Sequence, residues 1–97
     1  MSEPDGNNAE APAKVRRLTD QLKADLLELV DRERPVLISA SVRHEEAQDL
    51  AQQMRTFLLA KGLKAPAVQH VALRDEEMGL GFDEVDNRIF VFRAPPA

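Results

Sequence analysis

The 97-residue chain has no cysteine, tryptophan or tyrosine, and only four phenylalanines and two histidines. Without cysteine it has neither a disulfide framework nor a thiolate site, so a domain this small must be stabilised by its core alone or by a partner. No apolar run approaches the roughly 18 residues that a membrane-spanning helix needs. The start of the chain lacks the basic residues and apolar core of a secretory signal, so we expect a cytoplasmic protein without a membrane partner.

An excess of basic residues is also missing. The chain has 17 acidic and 13 basic residues, a net charge of −4. Three of the acids, Glu3, Asp5 and Glu10, precede the first basic residue, so the rest of the chain has 14 acids against 13 bases. A general polyanion binder normally has a clearly basic domain. The charge therefore argues against that class.

Residues 1–13 have no aliphatic side chain larger than alanine after Met1, and they include two prolines, one glycine and two asparagines. Such a stretch cannot bury enough apolar surface to offset the entropy of ordering it. We therefore predict a disordered tail at 1–13. The remainder, 14–97, has the length of one small domain.

Two segments have the hydrophobic period of a helix. From Val15 to Arg32 the aliphatic residues form one helical stripe, and a proline three residues later requires the helix to end before it. A second stripe runs from Glu45 to Lys61, and Gly62 then supplies the residue that most easily adopts the left-handed conformation at a helix C-terminus. The second stripe contains Leu50 and Phe57, which we expect in the core.

Strand periodicity follows each helix. Val36–Val42 and Pro66–Arg74 alternate side chains between two faces, and Arg88–Arg93 contains the most continuously apolar stretch of the chain. Strands that are buried on both faces have nearly continuous apolar sequences, so we expect the last strand in the middle of the sheet.

Residues 75–87 have two interpretations. They could form one long acidic loop, although loops of this length without structure are uncommon. Alternatively, Met78, Leu80 and Phe82 form one side of an additional strand, and Asp86-Asn87 closes a hairpin onto the last strand. We favour the hairpin, with Phe82 opposite Val91 and Gly81 opposite Phe92.

The element order α-β-α-β-(β)-β predicts an α+β fold, a two-layer sandwich. The sheet would be mixed, with three or four strands and the helices on one face. The other face would then be uncovered. The residues that we expect on that face are Ser39, Ser41, Val68, His70 and Ala72.

No pattern of residues predicts catalysis or metal binding. His44 is followed by two glutamates, but Gln48 stands where the H-E-x-x-H zinc motif needs its second histidine. The acidic residues between 75 and 86 lack the ligand spacing of an EF-hand loop. We interpret them as a solvated rim, or as an interaction surface for a basic partner. We predict no catalytic, cofactor-binding or metal-binding residue and no cofactor.

Two functional hypotheses remain. The first is a non-catalytic protein-interaction or regulatory module whose partner is a second copy, in a homodimer, or another protein. Its candidate surface consists of Leu22, Leu26, Leu29, Ser39, Ser41 and His70.

The alternative is a nucleic-acid-binding accessory protein. Two phenylalanines flanked by arginines in the last strand resemble the aromatic pair with which RNA-recognition sheets stack bases, although the glycines and basic start of that motif are missing. The residues of this alternative surface are Arg16, Arg17, Arg88, Phe90, Phe92 and Arg93. A small-molecule-handling enzyme is a third, weaker hypothesis.

Overall fold

The computed structural model of the protein describes residues 17–74 and 76–94. The elements in chain order are α1 (Asp20–Leu29), β1 (Leu37–Ser41), α2 (Glu45–Ala60), β2 (Gln69–Val71), β3 (Leu80–Asp83) and β4 (Arg88–Val91). Two helices and a four-stranded mixed sheet confirm the predicted α+β two-layer fold with the helices on one face. The tail predicted at 1–13 lies outside the described residues.

The strands lie in the order β2-β1-β4-β3. β1 is parallel to β2 and to β4, whereas β3 is antiparallel to β4. β4 is an interior strand, as its apolar sequence predicts. The two edges of the sheet are β2 and β3, and α2 packs across the two interior strands.

The first helix is shorter than its hydrophobic pattern indicates. Thr19 caps it, since its Oγ1 accepts a hydrogen bond from the Leu22 N–H at 3.2 Å. The helix ends at Leu29 rather than at Arg32, because Asp31 accepts the Glu33 N–H at 2.9 Å in a turn that competes with helical hydrogen bonding. Val15, the predicted start, is not among the described residues.

The second helix ends at Ala60, and Gly62 takes the predicted left-handed conformation with a φ of 84°. Leu50 is fully buried, but Phe57 is only partly buried at the margin of the core. The Lys23 and Lys61 ammonium groups lie 5.7 and 5.8 Å from the centre of the Phe57 ring. Phe57 therefore packs against the edge of the core and is not one of its buried residues.

The core lies between the helices and one face of the sheet. Ile38 and Ala40 of β1 pair with Ile89 and Val91 of β4, so all four point to the same side. The buried apolar residues are Leu26, Val30, Val36, Ile38, Ala40, Ala47, Leu50, Ala51, Met54, Leu58, Ala65, Val68, Ile89 and Val91.

The predicted hairpin forms, but its register differs by two residues from the expected one. Gly81 lies opposite Phe90 and Phe82 opposite Ile89, and a four-residue turn replaces the two-residue turn. Asn87 is the cause, because its side chain is buried against the α1–β1 loop instead of forming the tip of the turn. The Phe92 ring still covers the glycine, with Cε2 3.1 Å from the position of a Cβ at Gly81.

β2 spans only Gln69–Val71, and its faces are the reverse of those predicted. Gln69 pairs with Ser39, His70 with Ala40, and Val71 with Ser41. The placement of His70 beside Ser39 and Ser41 was therefore wrong. Val68 explains the reversal, because it is buried in the core beneath the helices. The predicted strand has apolar residues on both faces, so alternation alone did not identify the face that points to the core.

Candidate functional site

The helices cover one side of the sheet, and we call the other side the open face. It is not fully exposed, since Ser39 and Ser41 on it are buried and Leu73 of the β2–β3 connection borders a groove there. Strand register assigns its residues, because paired residues in adjacent strands point to the same side. They are Leu37, Ser39 and Ser41 of β1, Gln69 and Val71 of β2, Gly81 and Asp83 of β3, and Arg88 and Phe90 of β4, with Phe92 following.

Two aromatic rings form the apolar part of the open face. Phe90 and Phe92 are two residues apart in an extended segment, so they share a side, and their rings stack with centroids 6.2 Å apart and planes 24° apart. Both rings are half-buried. Leu37 on the neighbouring strand β1 and Val71 on β2, one strand further away, add partly exposed aliphatic surface.

A polar network crosses three strands of the same face. Arg88 Nη1 donates to the Ser39 hydroxyl at 2.7 Å and to Gln69 Oε1 at 2.6 Å. Arg88 Nε lies 3.9 Å from a carboxylate oxygen of Asp86. These bonds hold the guanidinium against the sheet, and they explain how the polar Ser39 is buried.

The network also bears on the chemistry of Ser39. Its hydroxyl accepts a hydrogen bond from a guanidinium, which is a donor and not a base. His70, the histidine that was predicted beside Ser39, is exposed on the other side of the sheet. The arrangement therefore does not make the serine–histidine pair that nucleophilic catalysis by a serine requires.

The leucines of the first helix do not form an exposed patch. Leu22 is half-buried, Leu26 is only 3% exposed and belongs to the core, and Leu29 is 51% exposed. Residues at these spacings lie on one helical stripe, but only Leu26 of the three belongs to the core, and Leu29 is half exposed. The prediction that Leu26 contributes to an interaction surface was wrong, because the domain's own core uses it.

The alternative surface is only partly assembled. Arg88, Phe90 and Phe92 share the open face, as the alternative hypothesis requires. Arg17 lies with the helices, since the next residue, Leu18, donates its N–H to Gln53 Oε1 of α2 at 3.0 Å. Arg93 lies two residues beyond β4, and it forms an isolated β-bridge with Met78. Arg16 lies outside the described residues.

Two features of the site and its support could not be predicted from sequence patterns. Gln69 and Val71 belong to the open face only because Val68 is buried on the other. Asn87 is fully buried with a φ of 56°, and its side chain bonds the chain between α1 and β1. Asn87 does carry a sequence signal, since asparagine tolerates positive φ, but nothing in the sequence indicates its distant partners.

The geometry of the described residues also bears on metal binding and on membrane insertion. In residues 17–74 and 76–94, no three acidic or histidine side chains cluster closely enough to hold a metal ion. Neither of the two described helices has the length and apolarity needed to cross a bilayer. Comparison of the chain with protein-family models, with curated proteins and with solved structures gave no significant match.

Proposed function

We propose that this chain is a small non-catalytic protein-interaction or regulatory module that self-associates as a homodimer through the open face. The observation that carries the proposal is the one-sided fold, because the helices cover one side of the sheet and leave stacked aromatic rings on the other. A sheet face of this kind normally packs against a second layer. We assign the protein to the cytoplasm as part of the same proposal.

The charges of the open face favour a second copy as the occupant. Arg88 lies directly opposite Asp83 in the β3–β4 pair, and Asp86 is close to its guanidinium. The patch thus carries both signs around an apolar centre. A two-fold axis places the same patch against itself, which requires such self-complementarity. Without disulfides, burial of Leu37, Val71 and the rings would also add stability to a domain of marginal size.

Two substitutions in the same edge strand test the proposal. Val71 is on the open face, whereas His70, its neighbour, points to the opposite side. We expect Val71→Glu to shift the protein from dimer to monomer in sedimentation velocity at about 50 µM, because a charge would be buried in the interface. His70→Glu is the matched control and should remain dimeric. If both variants, or neither, dissociate, the open face is not the interface.

Nucleic-acid binding is the second candidate, and one observation favours it. Arg88, Phe90 and Phe92 share the open face, which is the combination that binds single-stranded RNA by stacking. The engagement of Arg88 with Ser39 and Gln69 weighs against it. Fluorescence anisotropy with a labelled 12-nucleotide single strand would distinguish the two, since phosphate binding must weaken steeply between about 50 and 200 mM salt.

A further inference from the structure

β3 forms one edge of the sheet. Gly81 and Asp83 of this strand belong to the open face, but the outward backbone groups of the edge are not part of the proposed dimer surface. One side of the strand pairs with β4, and no described strand pairs with the other. An edge strand presents a row of backbone N–H and C=O groups that a further strand could use. Natural sheets usually protect such an edge from pairing. The side chains around β3 therefore indicate which kind of strand could pair with it.

The side chains next to the edge offer apolar contacts above and below the strand. Met78 and Leu80 are 43% and 37% exposed. Gly81 has no side chain, and it lies beside a groove of about 480 Å³ whose other walls include Phe92 and Leu73. A strand added to β3 would direct alternate side chains to these two places.

The charge around the edge is negative in sum, although Arg88 of β4 lies opposite Asp83 and 3.9 Å from Asp86. Between Glu76 and Asp86 the chain has five acids and no basic residue. Arg34, a basic side chain from outside the hairpin, donates to the backbone carbonyls of Glu84 and Val85 and pairs with Asp31. Its charge is therefore already shared with an acid outside the hairpin, and the edge stays negative.

This charge disfavours pairing with the same edge of a second copy in the register centred on Leu80. An antiparallel pairing of two β3 strands centred on Leu80 would set Glu77 of one copy against Asp83 of the other, and Glu76 against Glu84. Like charges directly opposite each other destabilise a strand pair. A basic strand has the reverse relation, since it would meet acids at both ends of β3.

We propose that the β3 edge binds, by strand addition, an extended segment of another protein in which basic residues alternate with apolar ones. Backbone hydrogen bonds to β3 supply the pairing, the apolar residues contact Leu80 and the groove beside Gly81, and the acids select the charge. β3 has only four residues. The contact is therefore small, and a dissociation constant on the order of 100 µM is expected.

Three synthetic eight-residue peptides test the proposal with the full-length protein labelled with ¹⁵N. The first repeats Lys-Val, the second repeats Glu-Val, and the third is the Lys-Val peptide with N-methyl groups on alternate backbone amides. We expect the Lys-Val peptide to shift the amide signals of Leu80–Asp83. N-methylation should weaken binding at least about tenfold because it removes pairing hydrogen bonds, and the Glu-Val peptide should not bind.

Charge reversals with a matched control complete the test. Glu77→Lys with Glu84→Lys should weaken Lys-Val binding about tenfold at low salt, whereas Asp25→Lys with Glu28→Lys, on the exposed side of α1, should change it less than about twofold. Equal binding of the Glu-Val or N-methylated peptide, equal loss in both double variants, or signal shifts located elsewhere would each overturn the proposal. Val71→Glu should retain peptide binding, because the dimer is not needed for it; this result distinguishes failure of the peptide site from failure of the dimer proposal.

Discussion

Replacing Asn87 by alanine should remove the side-chain hydrogen bonds that join the β3–β4 turn to the loop between α1 and β1. The Asn87 side chain is fully buried. Its Nδ2 donates to the carbonyls of Asp31 at 2.9 Å and Pro35 at 3.0 Å, and its Oδ1 accepts the Asp31 N–H at 2.8 Å. These bonds tie the β3–β4 turn to the chain entering β1, and the Asn87 carbonyl adds a bond from the Leu37 N–H at 3.0 Å.

The expected cost follows from two terms. Three well-formed hydrogen bonds contribute a net value of about 1 kcal/mol each. Alanine at a φ of 56° adds about 1 kcal/mol of left-handed strain that asparagine largely avoids. We therefore expect Asn87→Ala to lower the free energy of unfolding by about 4 kcal/mol, most of the roughly 5 kcal/mol available to a domain of this size.

Glycine at the same position separates the two terms. Asn87→Gly loses the same hydrogen bonds but tolerates the positive φ, so it should be about 1 kcal/mol more stable than Asn87→Ala. The chain has neither tryptophan nor tyrosine, so urea unfolding must be followed by far-ultraviolet circular dichroism. An alanine variant within 1 kcal/mol of the wild type would refute the reasoning, as would a glycine variant less stable than alanine.

Four further substitutions probe the core and the α1–β1 turn. Leu26→Glu should leave the chain unfolded by circular dichroism, since a buried leucine would become an unpaired charge; a folded variant would contradict the core assignment. Leu50→Ala should cost about 3 kcal/mol in urea unfolding and Phe57→Ala less, because Phe57 is only partly buried; the reverse order would show that the ring is a core residue. The Glu33 N–H lowers the pKa of the Asp31 carboxyl, so its stabilisation is present above the usual pKa of about 3.8 and is lost as pH falls through the folded pKa. The difference in urea midpoint between wild type and Asp31→Asn should therefore shrink below about pH 4; a constant difference would exclude this coupling.

The fold was predictable because helical and strand periods are local properties. Glu45–Lys61 has a complete apolar stripe and a glycine at its end, and the observed helix matches it to within one residue. β4 was predicted in the interior because its apolar residues point to both sides. Each of these inferences needs only neighbouring residues and the preferences of single residue types.

Pairing between distant segments was harder to predict. The Phe82 register was wrong by two residues because Asn87 bonds to residues more than 50 positions away. The face of His70 was wrong because Val68 and Val71 are both apolar, and the choice between them depends on where the helices lie. A shift of an even number keeps the faces of a strand, whereas an odd shift exchanges them.

The candidate site depends on those same distant pairings. The grouping of Arg88 with Ser39 and Gln69 joins three strands, and the sequence contains no spacing that indicates it. The arginine and the phenylalanines of β4 were predicted to share a surface, and their alternation was enough for that. The predicted tail at 1–13 and the homodimer stay predictions.

Sedimentation equilibrium of the wild-type chain tests the central claim most directly. The monomer has a mass of 10.8 kDa. Our account predicts that the weight-average mass rises toward twice that value as the concentration increases from about 1 to 100 µM, with a dissociation constant in the micromolar range. A mass that stays at 10.8 kDa throughout would contradict it, because this range detects any association stronger than about −5.5 kcal/mol.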